Sequence, residues 1–128
     1  MMIASDIMTR KVSTIHPEAS VQEVAQLLSR ERISGAPVVN ADGMIIGIVT
    51  EADIISKVDR EGLRVADIMS REIIAVKEET PVNEIALLLT ERRIKRVPVV
   101  RNGKPVGIVS RADIVDAVAQ GYLMLRDW

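Results

Sequence analysis

An internal duplication constrains the fold of this chain more than any other feature. Residues 5–40 align with residues 66–101 at an offset of 61, and residues 42–54 align with residues 102–114 at an offset of 60. Of these 49 aligned pairs, 22 are identical. The offset changes by one inside a predicted hairpin turn, where a change in length is tolerated well. One repeat alone would bury little apolar surface, so two copies are predicted to share a core.

Each copy is predicted to fold as strand, helix, strand, strand, helix. The first strands are expected at the β-branched runs 12–15 and 73–76. An Asx-Gly pair between two further β-branched runs predicts a hairpin at residues 42–43 and again at 102–103. The connector at residues 56–65 carries five charged residues and a glycine and is expected to be exposed.

The first helix of each copy has a recognisable start. Ser20 and Glu23 have the spacing of a capping box, in which each side chain binds the other residue's backbone N–H. In the second copy Thr80 is predicted to be the N-cap, followed by Pro81 at the first helical position.

The phrase GIVTEAD at residues 47–53 recurs as GIVSRAD at residues 107–113. The second helix of each copy is expected to begin at its hydroxyl residue. The sequence alone leaves two roles open for the hydroxyl residue and the aspartate that both copies of the phrase contain. They suit a helix cap, since a Ser or Thr three residues before an acidic residue makes a capping box. They also suit a ligand, since a carboxylate accepts bonds from two neighbouring hydroxyls and a helix start favours anions.

Composition excludes several classes of function. The 128 residues are 48% hydrophobic and 27% charged with a net charge of −1, which is typical of a globular protein without a general affinity for nucleic acid. The absence of cysteine rules out disulfides, thiol catalysis and cysteine-ligated zinc, and a single histidine argues against a metal site. No catalytic constellation or apolar span is found, so we expect a cytoplasmic protein that is not an enzyme.

Three short sequence motifs that occur in both copies resemble those of CBS domains. They are DIM at residues 6–8 and 67–69, PVV at 37–39 and 98–100, and the repeated phrase. The chain as a whole resembles a stand-alone tandem CBS pair, also called a Bateman module. The resemblance implies an α+β fold of two β-α-β-β-α repeats packed about a pseudo-twofold axis. It places repeat 1 at residues 1–58, a linker at 59–65, repeat 2 at 66–120 and a C-terminal tail at 121–128.

The resemblance also implies ligand-binding roles for specific residues. Members of the family commonly bind AMP, ADP, ATP or S-adenosylmethionine in clefts between the two repeats. By matching positions, the ribose hydroxyls would be bound by Asp53 and Asp113, and phosphate by Thr50, Ser110, Lys95 and Arg96. The base would lie against Thr14, Ile15, His16, Ala36 and Pro37 in one copy, and against Ala75, Val76, Lys77, Val97 and Pro98 in the other.

The two copies differ in charge. Residues 5–55 carry four basic and seven acidic residues, whereas residues 66–115 carry nine basic and seven acidic ones. The difference centres on RRIKR at residues 92–96, which aligns with ERISG at 31–35. Three interpretations stay open for this run: a phosphate contact that only the second copy offers, a solvated basic helix end, or a small nucleic-acid patch.

These observations favour a non-catalytic, ligand-sensing module that needs no catalytic cofactor. It would bind an adenine nucleotide or S-adenosylmethionine, form a homodimer and signal to a separate regulated protein, without a membrane or nucleic acid as partner. The alternative is a protein-interaction or nucleic-acid-binding subunit without a nucleotide ligand.

Overall fold

The computed structural model describes residues 1–123; residues 124–128, which make up most of the predicted tail, lie outside the described part. The order of elements along the chain is α1 (Ala4–Ile7), α2 (Val21–Glu31), β1 (Gly35–Val39), β2 (Ile45–Thr50), α3 (Glu51–Ile55), α4 (Val65–Ile68), α5 (Val82–Arg92), β3 (Arg96–Arg101), β4 (Lys104–Ser110) and α6 (Arg111–Ala119). No helix among the described residues has the length and apolar composition needed to cross a membrane.

The strands form two separate antiparallel hairpins, β1–β2 and β3–β4. The second hairpin turns at Asn102 and Gly103, which both take positive φ, as the Asx-Gly pattern predicts. The predicted first strands are wrong in extent. Ile15 makes one parallel bridge to Val38 in place of a strand, and the second copy has one equivalent bridge. Each bridging residue bonds the neighbouring strand through one N–H and one carbonyl, so no ladder extends along the run.

The predicted capping box of α2 is confirmed, since Ser20 and Glu23 bond each other's backbone N–H at 3.2 and 3.0 Å. The predicted cap of α5 is wrong. The helix begins one residue later, with Pro81 as its N-cap and no side-chain cap bond. The Thr80 hydroxyl instead accepts from the Lys77 N–H at 3.0 Å, so it stabilises the preceding turn.

The described chain divides into two compact units that do not coincide with the two sequence repeats. The repeat-1 unit contains residues 13–73, and the repeat-2 unit contains residues 1–12 and 74–123 of the described chain. Each unit has its own hairpin and its own helices. The start of each sequence repeat, with its DIM motif, therefore belongs to the unit of the other repeat.

Backbone hydrogen bonds attach α1 to the repeat-2 unit. The N–H of Ala4 donates to the carbonyl of Thr80 at 2.8 Å. Thr9, just after the helix, exchanges two bonds with Ile108 of β4, at 2.8 and 2.9 Å. Both Ala4 and the nearby Met8 are buried in the core of that unit.

The second DIM helix, α4, is attached to the repeat-1 unit in the same way. Val65 donates its N–H to the carbonyl of Ala19 at 2.8 Å, and Ser70 exchanges bonds of 2.8 and 2.9 Å with Ile48 of β2. Val65 is fully buried, and Leu63 packs against the same core. The expectation of an exposed connector is therefore right for residues 58–62 and wrong at Leu63 and Val65.

The methionine of each DIM motif packs on the glycine of the repeated phrase. A Cβ atom added at Gly47 would lie 2.7 Å from Sδ of Met69, and one added at Gly107 would overlap Sδ of Met8. Only glycine leaves room for the sulfur at these two positions. The DIM motif and the GIV sequence thus recur together because they contact each other.

The two cores are aliphatic and equivalent. The repeat-1 core contains Val24, Leu27, Leu28, Ala36, Val38, Val49, Val65, Ile68 and Met69. The repeat-2 core contains Ala4, Met8, Val76, Ile85, Leu89, Val97, Val99 and Val109. The α+β fold of two repeats is confirmed, whereas the exact repeat boundaries stay a prediction.

Candidate functional site

The first copy of the repeated phrase forms a capping box at the start of α3. Oδ2 of Asp53 accepts from the backbone N–H of Thr50 at 2.8 Å and from its hydroxyl at 3.1 Å. The hydroxyl oxygen in turn accepts from the Asp53 N–H at 3.4 Å. The capping interpretation is confirmed for this copy.

The second copy forms the same box at the start of α6. Oδ2 of Asp113 accepts from the Ser110 N–H at 2.8 Å, and Oγ of Ser110 accepts from the Asp113 N–H at 3.1 Å. One detail differs from α3. Within residues 1–123, the Ser110 hydroxyl donates to no acceptor, whereas the Thr50 hydroxyl donates to its aspartate.

Each capping box leaves polar groups without a partner in the described part of the chain. Oδ1 of Asp53 and Oδ1 of Asp113 accept no hydrogen bond there, and the N–H groups of Ala52 and Ala112 at the second helical position donate none. Both aspartates are half-buried, so solvent or a ligand can reach them. One carboxylate oxygen therefore holds the helix while the other stays able to accept.

The strand register brings the predicted phosphate residues of the second copy to the start of α6. Arg96 at the beginning of β3 lies opposite Ser110 at the end of β4. The first N–H of α6, from Arg111, donates to the carbonyl of Lys95 at 3.0 Å. We call Lys95, Arg96, Ser110, Arg111 and Asp113 the α6 cap cluster.

The first copy has the same backbone arrangement with different side chains. Gly35 lies opposite Thr50, and the N–H of Glu51 donates to the carbonyl of Ser34 at 2.9 Å. We call Ser34, Gly35, Thr50, Glu51 and Asp53 the α3 cap cluster. It contains no basic residue.

The side chain of Arg96 has no hydrogen-bond partner among residues 1–123. Its Nε is buried and has no hydrogen bond within the described residues. Lys95 is exposed, and no acceptor in the described chain bonds its ammonium group. A buried donor without an acceptor is rare in proteins and calls for an explanation.

The predicted base-lining residues of the first copy run beside β1. The N–H of Ile15 donates to the carbonyl of Pro37 at 3.1 Å, and the N–H of Val39 donates to the Ile15 carbonyl at 2.9 Å. Thr14 and His16, on either side of Ile15, are exposed. Ala36 and Pro37 are buried.

The second copy repeats this arrangement beside β3. The N–H of Val76 donates to the carbonyl of Pro98 at 3.0 Å, while Ala75 and Lys77 are exposed. Val76 and Val97 belong to the hydrophobic core. Any contact of these two residues with a base would therefore involve their backbone more than their side chains.

Sequence reasoning missed the residue that follows each cap. Arg111 is the first residue of α6, and Glu51 is its counterpart in α3. The signal was present in the phrase itself, which reads TEAD in one copy and SRAD in the other. Within residues 1–123, no three His, Cys, Asp or Glu side chains are grouped so that they could hold a metal ion.

A family model for the CBS domain matches this sequence twice, at residues 4–60 and 65–120. The chain belongs to the CBS domain family. The two matches cover nearly the whole sequence, in agreement with the resemblance inferred from the repeated motifs.

Relatives of similar length include the uncharacterized protein MJ1426 from Methanocaldococcus jannaschii. It is 28% identical over 92% of this chain and 92% of its own length. Several other curated relatives are longer, and the chain spans between 22% and 59% of four of them.

Solved CBS-pair structures resemble the fold closely. The CBS domain pair of protein MJ0100, in complex with 5′-methylthioadenosine and S-adenosyl-L-methionine, matches with a TM-score of 0.85 and 30% identity, over 94% of this chain and 98% of its own. CBSX2 from Arabidopsis thaliana, in complex with AMP, matches with a TM-score of 0.87 and 27% identity, over 96% of this chain and 100% of its own.

Proposed function

We propose that this CBS pair is a non-catalytic regulatory module that binds adenosine-containing ligands at its two cap clusters. AMP, ADP, ATP and S-adenosylmethionine are the candidate ligands. The observation that carries the proposal is the chemistry of the similar structures. MJ0100 is described with 5′-methylthioadenosine and S-adenosylmethionine, and CBSX2 with AMP. All three ligands share an adenosine with its ribose hydroxyls.

The capping boxes supply a physical reason for ribose binding. Oδ2 of Asp53 and of Asp113 is occupied by the backbone N–H of its cap at 2.8 Å. That bond orients the carboxylate, and Oδ1 then accepts from the ribose hydroxyls. A side chain already held in place loses little conformational entropy when it binds a ligand. Capping and ribose binding are therefore complementary roles of one aspartate.

The remaining contacts follow the family positions. A phosphate would meet the hydroxyl residue of a cap, Thr50 or Ser110, with Lys95 and Arg96 beside the second cap. The base would lie against the segments around Ile15 and Val76 and the strand starts at residues 36–37 and 97–98. Because several of these side chains are core residues, backbone groups would read the edge of the base.

Regulation would proceed through a separate protein. Ligand binding favours whichever conformation of the module binds it better, and a partner that distinguishes the conformations reads out ligand concentration. We propose that the module acts as a homodimer in the cytoplasm.

Asparagine variants test the role of the aspartates. Asn retains an oxygen for the cap and replaces the free oxygen by an NH₂ group, which cannot accept from ribose. We expect AMP or S-adenosylmethionine to bind the wild type by isothermal titration calorimetry. Asp53→Asn or Asp113→Asn should weaken binding at its own cluster by about tenfold or more, as expected for a lost bond to a charged group.

Asp67→Asn is the matched control. Oδ2 of Asp67 accepts from the N–H of Arg64 at 2.8 Å in the capping box of α4, so it has the same geometry outside the cap clusters. It should leave ligand affinity unchanged. If no adenosine ligand binds the wild type, or if all three variants weaken binding equally, the proposal is wrong and the aspartates are helix caps only.

A further inference from the structure

The two cap clusters differ in charge although their backbones are alike. The α6 cap cluster contains three basic residues, Lys95, Arg96 and Arg111, and one acidic residue, Asp113. The α3 cap cluster contains two acidic residues, Glu51 and Asp53, and no basic one. A ligand anion at the start of the helix is therefore attracted in one cluster and repelled in the other.

Arg96 is the group at the α6 cap cluster that most needs an acceptor. Its Nε is buried and lacks a hydrogen-bond partner in the described chain. Its position opposite Ser110 in the hairpin puts it beside the cap. A guanidinium is planar and binds phosphate through two parallel N–H bonds, which makes a phosphate a matching partner.

The two cap hydroxyls also differ. The Thr50 hydroxyl donates its proton to Asp53 at 3.1 Å. The Ser110 hydroxyl has no acceptor among residues 1–123, so its proton stays available for an anion beside the basic residues. The N–H of Ala112 at the second position of α6 has no partner there either, as is also true of Ala52 in α3.

Local packing also restricts the side chain at the equivalent position of the α3 cap cluster. Gly35 occupies the position of Arg96, and a Cβ added there would lie 3.0 Å from the carbonyl oxygen of Val49. A larger residue there would require the Val49 carbonyl to move by a few tenths of an ångström. The close approach of the Val49 carbonyl therefore favours glycine at this position, whereas the α6 cap cluster has an arginine there.

We infer that the α6 cap cluster selects adenosine ligands that carry a 5′-phosphate, whereas the α3 cap cluster accepts those with an uncharged or cationic 5′ substituent. This inference rests on the proposed function and assigns a ligand class to each of its two sites. A single chain would then bind two chemically different adenosine ligands at once.

The test compares AMP with 5′-methylthioadenosine, which has the same adenosine and no phosphate, by isothermal titration calorimetry. The variant Lys95→Ser with Arg96→Gln removes both charges and keeps most of the arginine stem. We expect it to weaken AMP binding by about tenfold or more, because bonds between a cation and phosphate are lost. Binding of 5′-methylthioadenosine should stay within about twofold.

Arg101→Gln with Lys104→Gln is the matched control. These residues pair at the other end of the same hairpin. The variant therefore also removes two positive charges, but at a place far along the strands from Ser110. It should leave AMP affinity unchanged. A second variant, Ser34→Lys with Glu51→Arg, places positive charge on the α3 cap cluster and should strengthen AMP binding there.

The outcomes separate the two proposals. If neither ligand binds the wild type, the proposed function fails and the inference fails with it. If both bind but the Lys95 and Arg96 variant weakens them equally, or the control weakens AMP as strongly, the inference alone is overturned. It is also overturned if Asp53→Asn rather than Asp113→Asn abolishes AMP binding.

Discussion

The two cap clusters have nearly the same backbone geometry and opposite charge. In each, a hydroxyl residue ends a strand and starts a helix, and its N–H bonds the aspartate three residues later at 2.8 Å. The N–H of that aspartate bonds the hydroxyl oxygen in return, so the box requires a hydroxyl and a carboxylate. It places no requirement on the first helical residue, which is Glu51 in one cluster and Arg111 in the other. The duplicated scaffold therefore retains its cap while the charge around it differs, and ligand class can diverge without a change in fold.

The largest expected effect concerns the DIM helices, since each of them packs in the unit of the other repeat. Met8→Ala should lower the free energy of unfolding by about 2–5 kcal/mol, as for other truncations of buried methionines. The loss of stability should be confined to the repeat-2 unit, because Met8 is buried in the core of that unit. Native-state hydrogen exchange should show reduced protection at Val99 and Val109 and little change at Val38.

The matched variant Met69→Ala should give the reverse pattern, since Met69 belongs to the repeat-1 core. If Met8→Ala instead reduced protection at Val38 and spared Val109, each sequence repeat would have to fold with its own DIM helix, contrary to the structure.

A smaller effect is expected where the glycines contact these methionines. Gly47→Ala and Gly107→Ala should each cost about 1–3 kcal/mol, the range for overpacking. The two should respond differently to a shorter methionine. The nearest atoms to a Cβ at Gly107 all belong to the Met8 side chain, whereas a Cβ at Gly47 would also lie 2.9 Å from the backbone carbonyl of Ser70.

Double-mutant cycles measured by urea unfolding check this difference. In a Met8→Ala background, the cost of Gly107→Ala should largely disappear. In a Met69→Ala background, most of the cost of Gly47→Ala should remain. If the two glycine substitutions kept equal costs in these backgrounds, the carbonyl of Ser70 would add nothing to the strain at Gly47, contrary to the prediction.

Local features of the fold could be predicted from the sequence because nearby residues decide them. The hairpin turn at Asn102 and Gly103, and the capping box of Ser20 and Glu23, depend on residues within three positions of each other. The prediction of Thr80 as the cap of α5 was wrong for two reasons. Proline can occupy the first helical position or the N-cap, and the Thr80 hydroxyl accepts from the Lys77 N–H instead of from the helix.

Features that depend on distant contacts could not be predicted. The exchange of α1 and α4 depends on pairings such as Thr9 with Ile108, which lie far apart in sequence. At the candidate site, the aspartates and Lys95 could be found from motif positions. The free Oδ1 atoms and the unpartnered Arg96 Nε could not, because they depend on the orientation of side chains in the folded chain.

The smallest expected effects come from removing each cap hydroxyl, and they sharpen the comparison between the clusters. Thr50→Ala and Ser110→Ala should each cost about 0.5–2 kcal/mol of unfolding free energy, the usual range for an N-cap. Thr50→Ala should cost more, because its hydroxyl also donates to Asp53 at 3.1 Å. AMP affinity should rank the two variants in the opposite order, since of these two hydroxyls the one of Ser110 has no acceptor within residues 1–123.

Thr50→Ser and Ser110→Thr are the controls, because each retains a hydroxyl and should leave both measurements near wild type. Thermal unfolding and AMP titration on the same four proteins then give two independent rankings. Opposite rankings mean that one cap hydroxyl mainly holds its helix while the other also binds the ligand. Identical rankings would mean that the Ser110 hydroxyl contributes nothing specific to binding, and the preference for phosphate would have to come from the basic residues of the α6 cap cluster.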